Sequence, residues 1–291
     1  MRLWNAKAYI PESSACADDI RAFLRRSVAE EQVCILGTGS VNTEVCEVLT
    51  MPMNLTNFAQ INIQVQMTIH EAIQVRHSVR QYIDKPLTED VVATLKAKID
   101  EVNAAAGLHI QLILNEPKSF QCAMAKYGHF RGVNNYLVMA GKKTDDLDEK
   151  VGYYGEQIVL LAQTLGLNTC WVGVSYSKIP NTYVLEEDEK VACYISLGYG
   201  ANQGIGHKIK SVKEVSNVSD VTPKWFLDGV NAALLAPTAV NQQKFFFEYT
   251  TENKVIAKRG VSLVGYTQMD LGIVKYHFEV GAGKENFEWA E

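Results

Sequence analysis

The sequence predicts an α+β fold, and three observations carry that prediction. Apolar residues recur at helical spacing in several long segments, some bounded by capping residues and closed by glycine. Between them stand short runs of β-branched, aromatic and aliphatic residues that do not alternate regularly with the helices. Over 291 residues, 47% are hydrophobic and 21% charged, enough apolar material for a sizeable core and too much for a disordered chain.

The elements follow in order from Met67. A short helix is expected over 68–75, with Thr68 as N-cap and Glu71 three residues on in a capping-box pattern. Residues 78–82 read as an extended link. Thr88, just after Pro86, opens a helix to about Ala106, with Glu89 and Asp90 complementing the dipole in its first turn and Gly107 ending it. Strands are expected over 109–115 and 136–140, then a charged loop over 142–150. An apolar helix over 154–166 follows, with strands over 169–174 and 191–197. The last third reads as a helix over 223–235, a strand over 245–251 and a helix over 268–278. A degenerate repeat is also present: Val102-Asn103-Ala104-Ala105-Ala106 and Val230-Asn231-Ala232-Ala233-Leu234 each end a helix before a strand. Gly152-Tyr153 and Gly265-Tyr266 then each precede a long helix.

Residues 1–66 read differently and are expected to form a poorly ordered N-terminal extension, so a start upstream of the true one is a natural expectation. Helical periodicity over 17–31 lacks a partner face. Val33-Cys34-Ile35-Leu36 runs into Gly37 and Gly39 like the opening of a dinucleotide-binding unit, but Asn42 stands where a third glycine belongs. Lys and Arg total 28 against 33 Asp and Glu, a net charge of −5, which argues against a nucleic-acid-binding protein and requires any phosphate site to be a local cation cluster. No apolar run reaches membrane-span length and no signal-peptide pattern opens the chain, so a soluble, cytoplasmic protein is expected. The six cysteines show no metal-ligand spacing; buried structural thiols and no metal are expected.

The chemistry concentrates in one segment. Arg76, His77, Ser78 and Arg80 lie within five residues just past a helix, and arginine forks with a serine hydroxyl suit phosphate oxygens. With Glu71-Ala72-Ile73 before them and Pro86-Leu87-Thr88-Glu89-Asp90 after, they resemble the E-A-I-x-x-R-x-S-x-R signature of nitroreductase-family flavoproteins. Residues 155–173, ending Trp171-Val172-Gly173, resemble that family's central helix and glycine-ended strand, and 191–200 its later strand ending in Gly-Tyr. Ala236-Pro237-Thr238-Ala239-Val240-Asn241-Gln242-Gln243 resembles its A-P-S-x-x-N-x-Q loop. The resemblance runs from Met67 to the C-terminus and covers nothing before it.

It implies a nitroreductase-like fold, a mixed or antiparallel sheet flanked by helices, with FMN as cofactor and NADH or NADPH as electron donor. It also implies ping-pong transfer through the flavin to a small-molecule acceptor such as a nitroaromatic or quinone. Arg80 or Arg76 would face the charge that develops at N1 and the C2 carbonyl, while Lys208, Lys210 and the other arginine would hold the phosphate, His77 and Ser78 lying beside them. Asn241 would meet the polar edge of the ring, Pro237, Thr238 and Gln243 would shape its surroundings, and the amides of Trp171, Val172 and Gly173 would approach N5 or O4. Trp171 fits a core position equally well. In ordinary members this loop follows the arginine motif by a few dozen residues and the protein dimerises; here Asn241 comes 165 positions after Arg76. A shortened single-chain pseudo-dimer is therefore expected, with halves at 67–215 and 216–291, one FMN per chain and a monomer in solution. With Asp270-Leu271-Gly272-Ile273 leading to Tyr276-His277-Phe278, the C-terminal half resembles the variant subfamily known as putative TM nitroreductases. A flavin-binding carrier or sensor without turnover is the alternative, and a dinucleotide module on Gly37 and Gly39 a third.

Overall fold

The computed structural model describes residues 67–290 and, before them, the backbone of β1 (Val33–Leu36) and β2 (Val48–Met51). The chain divides into two units, 1–66 and 67–291. In the first, β1 is the strand its sequence suggests, but it pairs antiparallel with β2, Val33 opposite Met51. A dinucleotide-binding βα unit needs a parallel crossover instead. The glycine turn, the helix expected over 17–31 and the expected lack of order lie outside the described residues.

The second unit opens on α1 (Ile69–Val75), where Thr68 and Glu71 form the anticipated capping box, the Glu71 amide donating to the Thr68 hydroxyl at 3.1 Å. The link after it is extended: Ser78 bridges Thr169 in parallel and the Val79 amide donates to the Thr169 carbonyl at 3.0 Å. Helix α2 (Glu89–Ala106) ends at Gly107 as expected. Strands β3 (Gln111–Ile113), β4 (Asn135–Lys142), β5 (Asn168–Val172) and β6 (Glu189–Gly198) form an antiparallel sheet in the order β3-β4-β6-β5. A five-residue helix, α3 (Ala123–Tyr127), lies between β3 and β4. Along β4, Leu137 and Met139 enter the main core while Tyr136, Val138 and Ala140 enter a second one with Phe120 and Phe130. Both faces of the strand are covered, which explains its unbroken apolar sequence.

Helix α4 (Leu147–Thr164) begins seven residues before the expected position, and the charged loop is correspondingly shorter. Asp148 and Glu149 are first-turn acids rather than loop residues. Gly152, read as a break before the helix, lies inside it. After α5 (Val212–Val215) come α6 (Lys224–Leu234), β7 (Phe245–Tyr249), β8 (Lys254–Arg259), α7 (Thr267–Ala282) and β9 (Glu288–Trp289). Strands β7, β8 and β9 make a second sheet, β7–β8 antiparallel and β8–β9 parallel. The sequence reading missed β8 because its three apolar residues stand among four lysine, arginine and asparagine neighbours, and β9 because it is two residues long.

Helix α7 is buried on most sides, its polar Asp270, His277 and Glu279 included, and it packs against α4. The contact is reciprocal. A Cβ on Gly152 would stand 2.0 Å from the Met269 carbonyl oxygen, and one on Gly272 would stand 2.0 Å from that of Glu149. Each glycine thus meets the residue three positions before the other, so the two helices touch through equivalent positions. Contact pairs Gly152 with Gly272, and not with Gly265 as the repeat had suggested. The element orders of the two stretches are not identical: α2-β3-α3-β4-α4 carries a helix between its strands that α6-β7-β8-α7 lacks. Among the described residues no helix is long and apolar enough to cross a membrane. Cys170 and Cys193 are buried and Cys122 half-buried; Cys16, Cys34 and Cys46 lie outside the described residues.

Candidate functional site

The extended link fixes the arginine motif beside β5. Arg80 is exposed, its guanidinium carbon 5.9 Å from the Phe130 ring centroid, and among the described residues it forms no ion pair. His77 is half-buried against the 204–206 segment. Burial, with Arg76 and His207 close by, pushes its imidazole below the usual 6.5. His207 reaches the Leu234 carbonyl at 2.9 Å, which carries the chain toward Lys208 beside the end of α6. Lys208 is exposed and likewise forms no ion pair among the described residues.

The 237–243 loop is the most strained part of the unit. Val240, Asn241 and Gln243 have φ of 47°, 55° and 45°, a left-handed run that a β-branched residue such as valine resists. Many bonds impose it. The Gln243 amide donates to the Thr238 hydroxyl at 3.1 Å, and its side chain accepts from the Lys210 amide and donates to the Lys208 carbonyl, both at 2.9 Å. The Asn241 side-chain amide also donates to the Lys208 carbonyl, at 2.8 Å. From beneath, the buried Asp270 carboxylate accepts from the Ala239 amide at 2.9 Å and from the Gln242 side chain at 2.7 Å. Strain that is over-determined in this way gathers at binding sites.

Asp270 also makes the loop pH-dependent. Burial pushes its carboxyl up to about 6 from the ordinary 3.8, against the two bonds that favour the anion. The folded state therefore holds the proton more tightly than the unfolded chain. This residue's contribution to stability is greatest below pH 4 and declines as pH rises to 6. Asp270→Asn cannot ionise. The stability gap between wild type and variant is expected to shift by about 2 kcal/mol between pH 4 and pH 7, in the variant's favour, as read by urea denaturation at each pH. A gap that does not move with pH would refute the assignment.

Arg76 is enclosed rather than exposed. It is 3% exposed; its guanidinium donates to the Leu235 carbonyl at 3.4 Å and stands 3.8 Å from the Glu156 carboxylate, leaving Nε without a hydrogen bond among the described residues. Glu156 is wholly buried in the middle of α4. One oxygen contacts His277 Nε2 at 2.9 Å and the other accepts from the Trp171 indole at 2.9 Å, while His277 Nδ1 faces the Ala232 carbonyl at 3.1 Å. Glu156 is thus a central buried counter-charge and not the helix-terminal acid its sequence position suggests. Its place on the buried face was legible, since Gly152, Gly155, Glu156 and Val159 follow helical spacing.

The fold therefore gathers His77, Ser78, Arg80, Lys208, the 237–243 loop and the 171–173 strand end around the edge of β5, with Arg76 enclosed behind them. Lys210 turns its ammonium onto the Gln242 and Gln243 carbonyls, at 3.3 and 2.7 Å, and Gln243 is buried within the loop's own bonds. Val172 is buried, while Trp171, Pro237, Thr238 and Gly173 are half-buried. Glu156, Asp270, His277 and Tyr266 were not among the expected site residues, although Asp270 and His277 lie on the helix whose sequence carries the subfamily resemblance. The first three are buried polar residues on otherwise apolar helix faces; for Tyr266 the only sign was the glycine before it.

An antiparallel sheet flanked by helices, with the arginine link along one edge, defines a nitroreductase-like α+β protein. The family model described as "Putative TM nitroreductase" matches residues 68–282, and the chain belongs to that family. It is similar to the crystal structure of a putative nitroreductase from Thermotoga maritima, at 23% identity and a TM-score of 0.56, over 76% of this chain and 87% of that one. An FMN-dependent nitroreductase from Clostridium difficile matches at 17% identity and a TM-score of 0.38, over 53% and 97% of the two chains. A putative nitroreductase in complex with FMN from Desulfovibrio desulfuricans matches at 15% and 0.40, over 53% and 98%. No curated protein matches the chain.

Proposed function

We propose that the protein is an FMN-dependent NAD(P)H oxidoreductase of the nitroreductase type, acting on small acceptors such as nitroaromatics or quinones. The observation that carries the reading is the strained 237–243 loop, tied by its own bonds to the segment that presents Lys208, whose Gly204 and Gly206 pack against His77 of the arginine link. Two unpaired cations on an acidic protein suit a phosphate-bearing ligand. The buried, unbonded Nε of Arg76 fits the same chemistry, as a donor and charge one layer behind the surface.

Bound FMN would supply two-electron transfer between nicotinamide and acceptor. The chain's own work is binding and electrostatics. Lys208 and His77 hold the phosphate, with Arg76 adding its field from within. Arg80 faces the part of the ring where negative charge accumulates, so its attraction grows along the reaction. Asn241 and the backbone amides of 171–173 fix the ring's polar edge, and Glu156 fixes Trp171 behind them. The chain is proposed to act as a monomer, since the α4–α7 contact lies within it.

The test is direct. The purified protein is expected to be yellow and to release one FMN per chain on denaturation, and to oxidise NADH or NADPH steadily when a quinone is supplied. Arg80→Ala and Lys208→Ala are each expected to weaken FMN binding about 10-fold or more, the loss of one charge-assisted hydrogen bond. Colourless protein that takes up no FMN would overturn the proposal. Bound flavin that nicotinamide does not bleach would point instead to a carrier or sensor.

A further inference from the structure

We infer that Tyr266 is a ligand-binding residue of this site, its phenol hydroxyl donating a hydrogen bond to the polar edge of the bound flavin beside Gly173. The inference rests on the flavin reading above. Four independent features of the residue converge on it.

The first is backbone conformation. Tyr266 is the N-cap of α7 at φ 61° and ψ 2°, in the left-handed region, and Gly265 before it has φ 80°. An N-cap residue normally offers a small oxygen to the helix amides; tyrosine has none to offer, and its side chain makes no capping bond. Nothing about starting a helix calls for tyrosine here. Second, the turn is held in place by the site itself. Gln242 donates to the Gly265 carbonyl at 3.0 Å, from the same side-chain nitrogen that bonds Asp270, and the Asp270 amide donates to the Tyr266 carbonyl at 2.8 Å. The strained loop and the strained tyrosine therefore form one bonded unit.

Third, the side chain reaches the end of β5. A Cβ on Gly173 would stand 2.5 Å from the Tyr266 hydroxyl oxygen and 2.6 Å from the carbon that bears it. Glycine at 173 is what lets the phenol lie against the strand. Fourth, the hydroxyl is unused. The hydroxyls of Tyr82, Tyr136 and Tyr153 each bond a protein group, at 2.8, 2.8 and 2.5 Å, whereas that of Tyr266 bonds nothing among the described residues. Burial holds the phenol above its ordinary 10, so at neutral pH it keeps its proton and remains a hydrogen-bond donor.

A donor placed against the carbonyl and N5 edge of the flavin stabilises the reduced, electron-rich ring more than the oxidised one. Tyr266→Phe keeps the ring packing and removes only the hydroxyl. The measurement is the pair of FMN dissociation constants, for oxidised and for reduced flavin, by fluorescence and anaerobic titration, with the thermal midpoint of the apo-protein as the structural control. The variant is expected to melt with wild type, to bind oxidised FMN within about threefold of wild type, and to bind reduced FMN about 10-fold more weakly, the scale of one hydrogen bond. Gly173→Ala pushes the phenol aside and is expected to change the ratio in the same direction, with little further change when combined with Tyr266→Phe.

An unchanged ratio of the two constants in Tyr266→Phe would overturn the inference and leave the flavin reading intact. So would a shift in Gly173→Ala that persists undiminished on the Tyr266→Phe background. Wild-type protein that binds no FMN would overturn both.

Discussion

Gly272→Ala is expected to destabilise the 67–291 unit by about 3 kcal/mol, the upper range for overpacking a core. The new methyl would meet the Glu149 carbonyl oxygen at 2.0 Å and the Tyr153 amide nitrogen at 2.6 Å. Both are backbone atoms of α4, so no rotamer change relieves the clash and the helices must separate. Helix α7 also carries Asp270 and His277, and separation would disturb the 237–243 loop and the Glu156 contacts together. Gly152→Ala faces the Met269 carbonyl at the same distance and should cost a similar amount. The two substitutions share one contact, so the double variant should lose less than the sum. Urea denaturation of the three variants checks this. An alanine variant within about 0.5 kcal/mol of wild type, ordinary for a surface change, would show that the helices do not meet as described.

Glu156→Ala is expected to cost about 3–5 kcal/mol, the scale for removing one partner from a buried charge pair. It would leave Arg76 buried without a counter-charge and strip His277 and Trp171 of their acceptor. Glu156→Gln keeps the shape and one acceptor oxygen and should lose less. The difference between the two variants separates packing from charge. Trp171 gives a second readout, since its indole N–H loses its partner and its fluorescence should change in both variants. Equal stability in wild type, Gln and Ala forms would refute the network. Arg76→Met should be milder than Glu156→Ala, because methionine fills the space without leaving a buried charge.

The consequence for the site is a division of labour between the two arginines of the link. They differ by four positions and look alike in the sequence, yet one is exposed beside Phe130 and the other is enclosed with Glu156. Alternation along the extended link sends Arg76, Ser78 and Arg80 to the same side by count, so strand periodicity predicts one shared role. Arg76 escapes that rule because it is the C-cap of α1, where the chain turns from helix to strand and the side chain follows the helix into the core.

Much of the fold was legible because its signals are local. The Thr68–Glu71 capping box, Gly107 at the end of α2 and the apolar run of β4 each depend on neighbours a few residues away. Strands β8 and β9 were hidden because their stability comes from partners: Trp289 packs with Phe247 on β7 and Phe278 on α7, both far away in the chain. Glycines misled for the same reason. Gly152 reads as a helix breaker, and only the backbone of α7 lying against it explains a glycine in mid-helix.

By itself the sequence determined the α+β class, the order of most elements and the family resemblance of the arginine, strand-end and 236–243 motifs, because propensity, capping and motif spacing are properties of adjacent residues. The tertiary structure alone decided which of those motif residues are free to act. Arg80 and Lys208 stay exposed and, among the described residues, unpaired, while Arg76 and Lys210 spend their charges on Glu156 and on loop carbonyls. Glu156, Asp270 and Tyr266 gain their roles only through α7. A side chain's ionic partner and its access to solvent are fixed by residues far away in the chain, and a linear pattern carries no record of them.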